Sequence, residues 1–170
     1  LITAKSPNFD DDLPDMIKAS DPILGLINLA RLKKVPLRKQ YDRSNLELTW
    51  SEINYVNGCL TRYKQVRHKF DFTDMLENFV TEGSNFCPNF ELCFVDEAQD
   101  LSPMQWDIAH LLDERSKRMY IAGDDDQAIY RWAGADVDTF INLDGGSDTL
   151  SQSYRIPYSV HKVAENIVKR

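Results

Sequence analysis

The chain has 170 residues, of which 42% are hydrophobic, with 20 Lys and Arg against 27 Asp and Glu and a formal net charge of −7. This composition is typical of a globular protein with a core, and it excludes collagen-like, disordered and disulfide-stapled classes. No apolar run reaches the roughly 18 residues of a membrane-spanning helix, and no signal-peptide pattern is present, so we expect a cytoplasmic protein. The three cysteines form no C-x-x-C pair, so no zinc site is predicted.

The charge is distributed unevenly along the chain. Residues 1–30 carry 2 basic and 5 acidic side chains, residues 31–70 carry 10 and 3, and residues 71–170 carry 8 and 19, which gives net charges of −3, +7 and −11. The middle stretch, here called the basic segment, is a candidate phosphate-facing surface, and a solvated helix face is the alternative. Its basic residues are Arg31, Lys33, Lys34, Arg38, Lys39, Arg43, Arg62, Lys64, Arg67 and Lys69.

The first 70 residues have helical patterns. An aspartate comes shortly before a proline at Asp12–Pro14 and at Asp21–Pro22, and each place predicts the start of a short helix because proline fits the first helical turn. Thr49 and Glu52 have the spacing of a capping box, and apolar residues then recur at steps of three and four. We therefore predict a third helix that runs to about Lys69.

The pattern changes in the second half of the chain. A helix is predicted from Asp71 to the breaking stretch Gly83–Pro88. Two short apolar runs, Leu92–Val95 and Met119–Ala122, each end in carboxylates, which favours strands of a buried parallel sheet. A capping box that begins at Ser102 predicts a helix between them.

The remaining pattern predicts a short helix over Gln127–Trp132, a third strand near Thr149–Leu150 and a last helix introduced by Pro157. Strands that alternate with helices are typical of a parallel α/β sheet, in which ligands bind beyond the carboxyl ends of the strands. The sequence therefore predicts an α/β fold with a helical region before it.

Acidic residues follow both predicted strands. Asp96 and Glu97 come after the first strand, and Asp124–Asp126 come after the second. A carboxylate in this position can hold Mg²⁺, and a second one can act as the general base on a water that attacks a terminal phosphate. A solvated pair of acids is the structural alternative, and a metal-dependent nuclease is the chemical one.

Three strings of sequence carry a family resemblance. Residues 96–100 read DEAQD, residues 123–136 read GDDDQAIYRWAGAD, and residues 150–155 read LSQSYR. In order and spacing they closely resemble three consecutive motifs of the superfamily 1 DNA helicases of the UvrD, PcrA and Rep type. The resemblance covers roughly residues 60–170, and it implies a partial RecA-like (P-loop NTPase) parallel sheet with a helical insertion subdomain.

The resemblance implies roles in nucleotide chemistry for five residues. Asp96 would hold Mg²⁺, and Glu97 would activate the hydrolytic water. Gln127 would sense the γ-phosphate and couple hydrolysis to strand movement. Tyr154 would stack on the adenine, and Arg155 would approach the γ-phosphate to stabilise developing charge. A helix cap at Gln127 and an ordinary strand end at the last two residues are the structural alternatives.

The resemblance also implies contacts with DNA. Tyr130 and Trp132 would form pockets for single-stranded bases, and aromatic stacking suits a motor because it tolerates any base sequence. The alternative for both residues is a place in the core. In the basic segment, the candidate phosphate contacts are Lys33, Lys34, Arg38 and Lys39, which would position DNA without reading its sequence.

Three segments and one reaction follow from the resemblance. Residues 1–70 would be a helical insertion (1B-like) subdomain, residues 71–149 the second half of the first RecA-like motor domain, and residues 150–170 the start of the second. The parent protein would be an ATP-dependent DNA helicase with ATP and Mg²⁺ as cofactors. It would move 3′-to-5′ on single-stranded DNA and unwind duplex DNA, in partnership with the rest of the helicase chain.

The sequence departs from the family pattern at two points. It contains no phosphate-binding loop of the form G-x-x-x-x-G-K-[ST]. We expect that loop before Leu1 and the late motifs after Arg170, so the isolated chain should hydrolyse ATP poorly or not at all. Ala133 stands where the family commonly has arginine, which puts the strength of coupling in question. A non-catalytic DNA-binding or protein-interaction module on a helicase-derived scaffold is the alternative function.

Overall fold

The computed structural model describes residues 21–150, residue 152 and residues 154–168, so the predicted helix start at Asp12–Pro14 lies outside the described residues. Short 3₁₀ turns also occur at Gly83–Asn85, Ala98–Asp100, Asp125–Gln127 and Arg131–Ala133. The helices and strands are α1 (Pro22–Leu32), α2 (Leu37–Asp42), α3 (Trp50–Arg67), α4 (Phe72–Glu82), β1 (Cys93–Val95), α5 (Pro103–Glu114), β2 (Met119–Ile121), α6 (Val137–Ile141) and α7 (Tyr158–Val168).

Side-chain caps confirm the predicted helix starts at Asp21, Thr49 and Asp71. A carboxylate oxygen of Asp21 accepts the backbone N–H two residues further on, at 2.9 Å. At the start of α3, the N–H of Thr49 donates to the Glu52 carboxylate (2.8 Å), and the N–H of Glu52 donates to the Thr49 hydroxyl (3.4 Å). Asp71 and Asp74 exchange the same pair of bonds at 2.8 and 2.7 Å. These bonds satisfy backbone donors that a helix leaves free at its amino end.

Two of the predicted elements are wrong. Residues 127–132 form no continuous helix, because separate 3₁₀ turns are closed by the Asp124 side chain on one side and by the carbonyl of Tyr130 on the other. Residues 149 and 150 form no strand, and Leu150 is 95% exposed. A strand needs a neighbour to accept its backbone hydrogen bonds, and none lies beside these two residues in the described part of the chain.

The sheet consists of two parallel strands, β1 and β2, joined through α5. One face packs on the core, where Val95 and Ile121 contact a buried cluster around Trp106. On the other face Phe94 is 72% exposed and Tyr120 is 53% exposed, and their rings stack with centroids 5.4 Å apart. The α/β prediction and the parallel pairing are therefore confirmed, whereas burial of the strands on both faces is wrong for the described residues.

Helix α1 lies at the centre of the helical layer. It contacts α2, α3, α4 and α5, and its residues Leu26, Ile27 and Ala30 are buried. Ile53 of α3 is completely buried as well. Because α5 also packs on β1, α1 connects the helical layer to the α/β part of the chain.

A cluster of charged side chains, here called the charged cluster, joins α1, α3 and α4. Arg31 of α1 bonds to Asp74 at 2.5 Å and to Glu77 at 2.6 Å, and it lies 3.3 Å from Asp71. Lys64 of α3 pairs with the same two aspartates, at 2.8 Å in the case of Asp74. Both cations are more than four-fifths buried, so each depends on these partners to offset its lost hydration.

The predicted last helix is confirmed as α7. Val160, Val163 and Ile167 on this helix are all exposed. Among the described residues, no helix is long and apolar enough to cross a membrane.

Because of the charged cluster, the free energy of unfolding should fall at acid pH. Burial alone raises the pKa of the Asp74 carboxyl, but hydrogen bonds from Lys64 and from the Asp71 backbone, together with Arg31, outweigh it and hold the pKa at about 2. The ordinary value is 3.8, so the native state binds this proton less tightly than the unfolded state does. The stabilisation is therefore present above that value and is lost as the pH falls toward 2. We expect a loss on the order of 2 kcal/mol in the free energy of unfolding.

Urea unfolding of the chain between about pH 5 and pH 2 measures this effect. Asp74→Asn should be less stable at neutral pH and should show a shallower loss of stability in acid. Asp113→Asn, which changes an exposed carboxylate on α5, is the matched control and should follow the wild type. Equal pH dependence in the wild type and in Asp74→Asn would contradict the assignment.

Candidate functional site

The first part of the candidate site is the acid loop, residues 96–101, which follows β1. Asp96 is exposed, and its Oδ1 accepts the N–H of Glu97 at 2.9 Å. Glu97 has φ 52° and ψ 40°, a left-handed conformation that is uncommon for a residue with a side chain. The next residue explains it, because Ala98 is completely buried and its N–H donates to the carbonyl of Ala122 at 3.0 Å. Burial of Ala98 thus turns the chain sharply at the end of the strand and presents both carboxylates.

A glutamine that the sequence analysis did not select lies between the two acidic strand ends. Gln99 is only 2% exposed. Its Nε2 donates to the Glu97 carboxylate at 2.8 Å, and its Oε1 accepts the N–H of Asp124 at 3.0 Å. The sequence offers no separate signal for it, because its burial and its bond to Asp124 arise only in the folded chain.

The second acidic strand end is ordered by its own side chains. The Asp124 carboxylate accepts the N–H of Asp126 at 3.2 Å and also accepts a hydrogen bond from Nε2 of Gln127. The predicted sensor Gln127 is therefore joined through Asp124 and Gln99 to Glu97. The structure brings these two predicted residues into one hydrogen-bonded chain.

One acid in the loop is incompletely bonded. Asp100 Oδ1 is buried and has no hydrogen-bond partner. Burial, together with the negative charge of Glu97, raises the pKa of Asp100. This carboxylate therefore lies where a proton or a cation would be stabilised.

The donor set of the acid loop fits Mg²⁺. In the described part of the chain, no group of three or more His, Cys, Asp or Glu side chains is placed to enclose a metal. Mg²⁺ keeps several waters and is commonly held by one or two carboxylates together with substrate phosphates. The exposed carboxylate of Asp96 matches this mode of binding.

The third part of the site is the aromatic turn, residues 130–134. The rings of Tyr130 and Trp132 have centroids 6.5 Å apart at an angle of 57°, and Trp132 is 46% exposed. The N–H of Ala133 donates to the carbonyl of Tyr130 at 2.9 Å and closes the turn. Both rings therefore belong to one partly exposed turn rather than to the core.

The aromatic turn is linked to the acid loop through the residues that follow it. The N–H of Asp136 donates to the carbonyl of Leu101 at 2.8 Å, and the Trp106 indole N–H donates to the carbonyl of Asp136 at 3.2 Å. The Asp136 side chain caps α6 through the N–H and hydroxyl of Thr139, at 3.3 and 2.7 Å. The two candidate surfaces are thus held by a common set of bonds.

The four basic residues predicted to contact DNA have different surroundings. Lys34 pairs with Asp107 on α5. Arg38 bonds to Asp42 at 2.9 Å, and its guanidinium carbon also lies 5.0 Å from the centre of the Trp50 ring. No acidic partner in the described part of the chain pairs with the remaining two, Lys33 and Lys39.

Two of the predicted nucleotide contacts lie near the end of the chain. Tyr154 and Arg155 are exposed. Within the described ranges, no hydrogen bond or ion pair joins either of them to Asp96 or Glu97. Their predicted roles stay predictions.

Residues 17–146 match the family model described as the UvrD/REP helicase N-terminal domain. This match covers most of the chain, and the chain therefore belongs to the UvrD/REP helicase family.

Individual relatives carry helicase names. The ATP-dependent DNA helicase PcrA of Leuconostoc citreum is 34% identical over 100 residues, which are 56% of this chain and 13% of the relative. The probable DNA helicase II homolog of Mycoplasma genitalium is 26% identical over 176 aligned positions, with coverage of 95% and 24%. The PcrA helicase of Staphylococcus aureus is 31% identical over 85 residues, with coverage of 47% and 12%. The chain thus spans a quarter or less of the length of these relatives.

The position of the aromatic turn depends on Gly134. This residue has φ 114°, and a Cβ atom built there would lie 3.2 Å from Cδ1 of Leu29 on α1. Gly134→Ala should therefore lower the free energy of unfolding by about 1–3 kcal/mol, because a side chain adds backbone strain and crowds α1.

Chemical denaturation checks this expectation, and a second glycine provides the control. Gly58 lies in the middle of α3, and a Cβ atom at this position would point into open space. Gly58→Ala should raise the free energy of unfolding by about 0.5–1 kcal/mol, since alanine is the better helix former. A Gly134→Ala variant as stable as the wild type would show that the turn does not need this conformation.

Proposed function

We propose that the protein to which this chain belongs is an ATP-dependent DNA helicase. In this proposal, hydrolysis of Mg-ATP drives 3′-to-5′ movement on single-stranded DNA and unwinds the duplex. Family membership supports a helicase role. The observation that carries the proposal is the bond between Asp136 and Leu101, because it joins a carboxylate loop suited to phosphate chemistry to an exposed aromatic turn suited to bases.

Asp96 and Glu97 would share the work on the nucleotide. Asp96 is exposed at the strand end and would hold Mg²⁺ largely through waters, and the bound ion would neutralise charge on the phosphates. The Glu97 carboxylate is exposed beside Asp96 and would act as the general base that takes a proton from the attacking water. Gln127 would sense the γ-phosphate from the neighbouring turn.

The contacts near the end of the chain would complete the nucleotide site. Tyr154 would stack on the adenine and Arg155 would approach the γ-phosphate. Both side chains are exposed, as groups that meet a ligand must be. Residues 71–149 would then belong to the first motor domain, and residues 150–170 would begin the second.

The aromatic turn and the basic segment would contact DNA. Trp132 and Tyr130 form a tilted, partly exposed pair that can accept an unstacked base. Lys33 and Lys39 are the predicted contacts without an acidic partner among the described residues, so they are the better candidates for phosphate binding. Residues 1–70 would thus form a helical subdomain that positions DNA.

Single-stranded DNA binding by the chain across a salt series tests these contacts. Trp132→Ala should weaken binding by roughly 5- to 100-fold, because stacking is worth roughly 1–3 kcal/mol per base. Replacement of Lys33 and Lys39 by Gln should make the affinity less dependent on salt. The slope of the logarithm of the binding constant against the logarithm of the salt concentration should become shallower by about 0.7 for each phosphate that is no longer neutralised.

Two control variants separate specific contacts from general effects. Phe86→Ala removes an exposed aromatic ring from the turn after α4, and Lys117→Gln removes an exposed charge at the amino end of β2, the end of the sheet opposite the acid loop. Both should bind DNA as the wild type does. If Trp132→Ala binds no more weakly than Phe86→Ala, the aromatic turn is not a base-binding surface.

The catalytic assignment is tested in the complete protein. Glu97→Gln should lower kcat for ATP hydrolysis by about 10²- to 10⁴-fold with little change in KM, because it removes the general base and keeps the shape of the side chain. Glu91→Gln, an exposed substitution beside Lys117, should leave kcat unchanged. A complete protein that binds DNA but hydrolyses no ATP would favour the non-catalytic module instead.

A further inference from the structure

Gln99 is a buried polar residue that the proposed roles do not use. Its side-chain amide is almost fully enclosed, and both of its ends are hydrogen-bonded. Only one orientation of the amide satisfies its surroundings. The NH₂ group must face the Glu97 carboxylate, which only accepts, and the oxygen must face the Asp124 N–H, which only donates. A flipped amide would lose both bonds.

The neighbouring residue Gly123 makes room for this arrangement. A Cβ atom at Gly123 would lie 2.7 Å from Oε1 of Gln99 and 2.8 Å from Cζ of Phe140. Contacts that short force a neighbour to move, and the Phe140 ring is itself packed on the core. The approach of Gln99 to the second strand end therefore depends on glycine at this position.

Backbone bonds fix the distance between the two strand ends independently of Gln99. The N–H of Ala98 donates to the carbonyl of Ala122 at 3.0 Å, and the N–H of Ala122 donates to the carbonyl of Val95 at 2.8 Å. Within this frame, the Gln99 side chain adds a link between the Glu97 carboxylate and the Asp124 backbone N–H. That link runs from Glu97 through Gln99 to Asp124, whose carboxylate holds Gln127.

The geometry points to Gln99 as a positioning residue that holds the Glu97 carboxylate and couples it to the turn that carries Gln127. A displacement of that turn moves the Asp124 N–H, which pulls on Oε1 of Gln99 and shifts the donor that orients Glu97. The catalytic consequence of this inference rests on the proposed function, whereas the link between the two strand ends does not.

The link is tested in the chain itself by hydrogen exchange of the Asp124 amide. Gln99→Met has a similar size but accepts no strong hydrogen bond, so it should speed exchange at Asp124 by about five- to tenfold. Gln99→Glu keeps an acceptor for the Asp124 N–H but places a second carboxylate beside Glu97, so it should speed exchange at Asp124 less than Gln99→Met does. The Ala98 amide is the internal reference, because its bond to Ala122 involves no side chain.

A double-mutant cycle tests whether the link reaches Glu97. Glu97→Ala removes the partner of Nε2 and should speed exchange at Asp124, although it touches neither atom of the measured bond. In the Gln99→Met background the same substitution should have no further effect. Unchanged exchange at Asp124 in Gln99→Met, with unchanged exchange at Ala98, would overturn the inference.

In the complete protein the same variants give a kinetic readout. Gln99→Met and Gln99→Glu should both lower kcat by about 10- to 100-fold with little change in KM for ATP, as expected for loss of a residue that orients a catalytic group. In the Glu97→Gln background, Gln99→Met should cost nothing more, whereas a role in folding alone would cause a further loss. If the wild-type protein hydrolyses no ATP, the proposed function fails, and the exchange measurements alone decide the link.

Discussion

The ion pairs of Arg31 hold the helical layer in place. A guanidinium that bonds to Asp74 and Glu77 fixes α1 against α4, and Lys64 brings α3 to the same acids. Helix α1 also makes two further contacts. Lys34 pairs with Asp107 on α5, and Leu29 lies against the backbone of Gly134 in the aromatic turn. The aromatic turn therefore rests on a helix that is held both by its buried apolar residues and by these ion pairs.

Parallel pairing provides the second constraint on the site. Two acidic segments separated by more than 20 residues meet because their strands end at the same edge of one sheet. Burial of Ala98 then turns the first segment sharply, and Gln99 fills the space between the two. As a result, the catalytic candidate Glu97 depends on both strand ends, although it belongs to only one of them.

Apolar side chains are exposed on one face of the sheet and on α7. Phe94 and Tyr120 stack on one face of the sheet, and Val160 and Val163 are exposed on α7. Apolar side chains in such positions cost free energy in water, and contiguous ones commonly mark surfaces that contact other parts of a protein. The chain spans a quarter or less of the length of these relatives.

The sequence by itself determined the helix starts, both strands and the two acidic strand ends, because caps such as Thr49 with Glu52 and short apolar runs are local patterns. The sequence also indicated the family, because each motif is a continuous stretch of residues. Only the tertiary structure decided that Gln99 lies between Glu97 and Asp124, and that Lys34 is paired. Those contacts join residues 25 and 73 positions apart, and no local pattern specifies such a distance. The wrong strand has the same reason, because a strand depends on a neighbouring strand that only the folded chain supplies. The wrong helix has a local reason, because 3₁₀ turns closed by the Asp124 side chain and the Tyr130 carbonyl replace it.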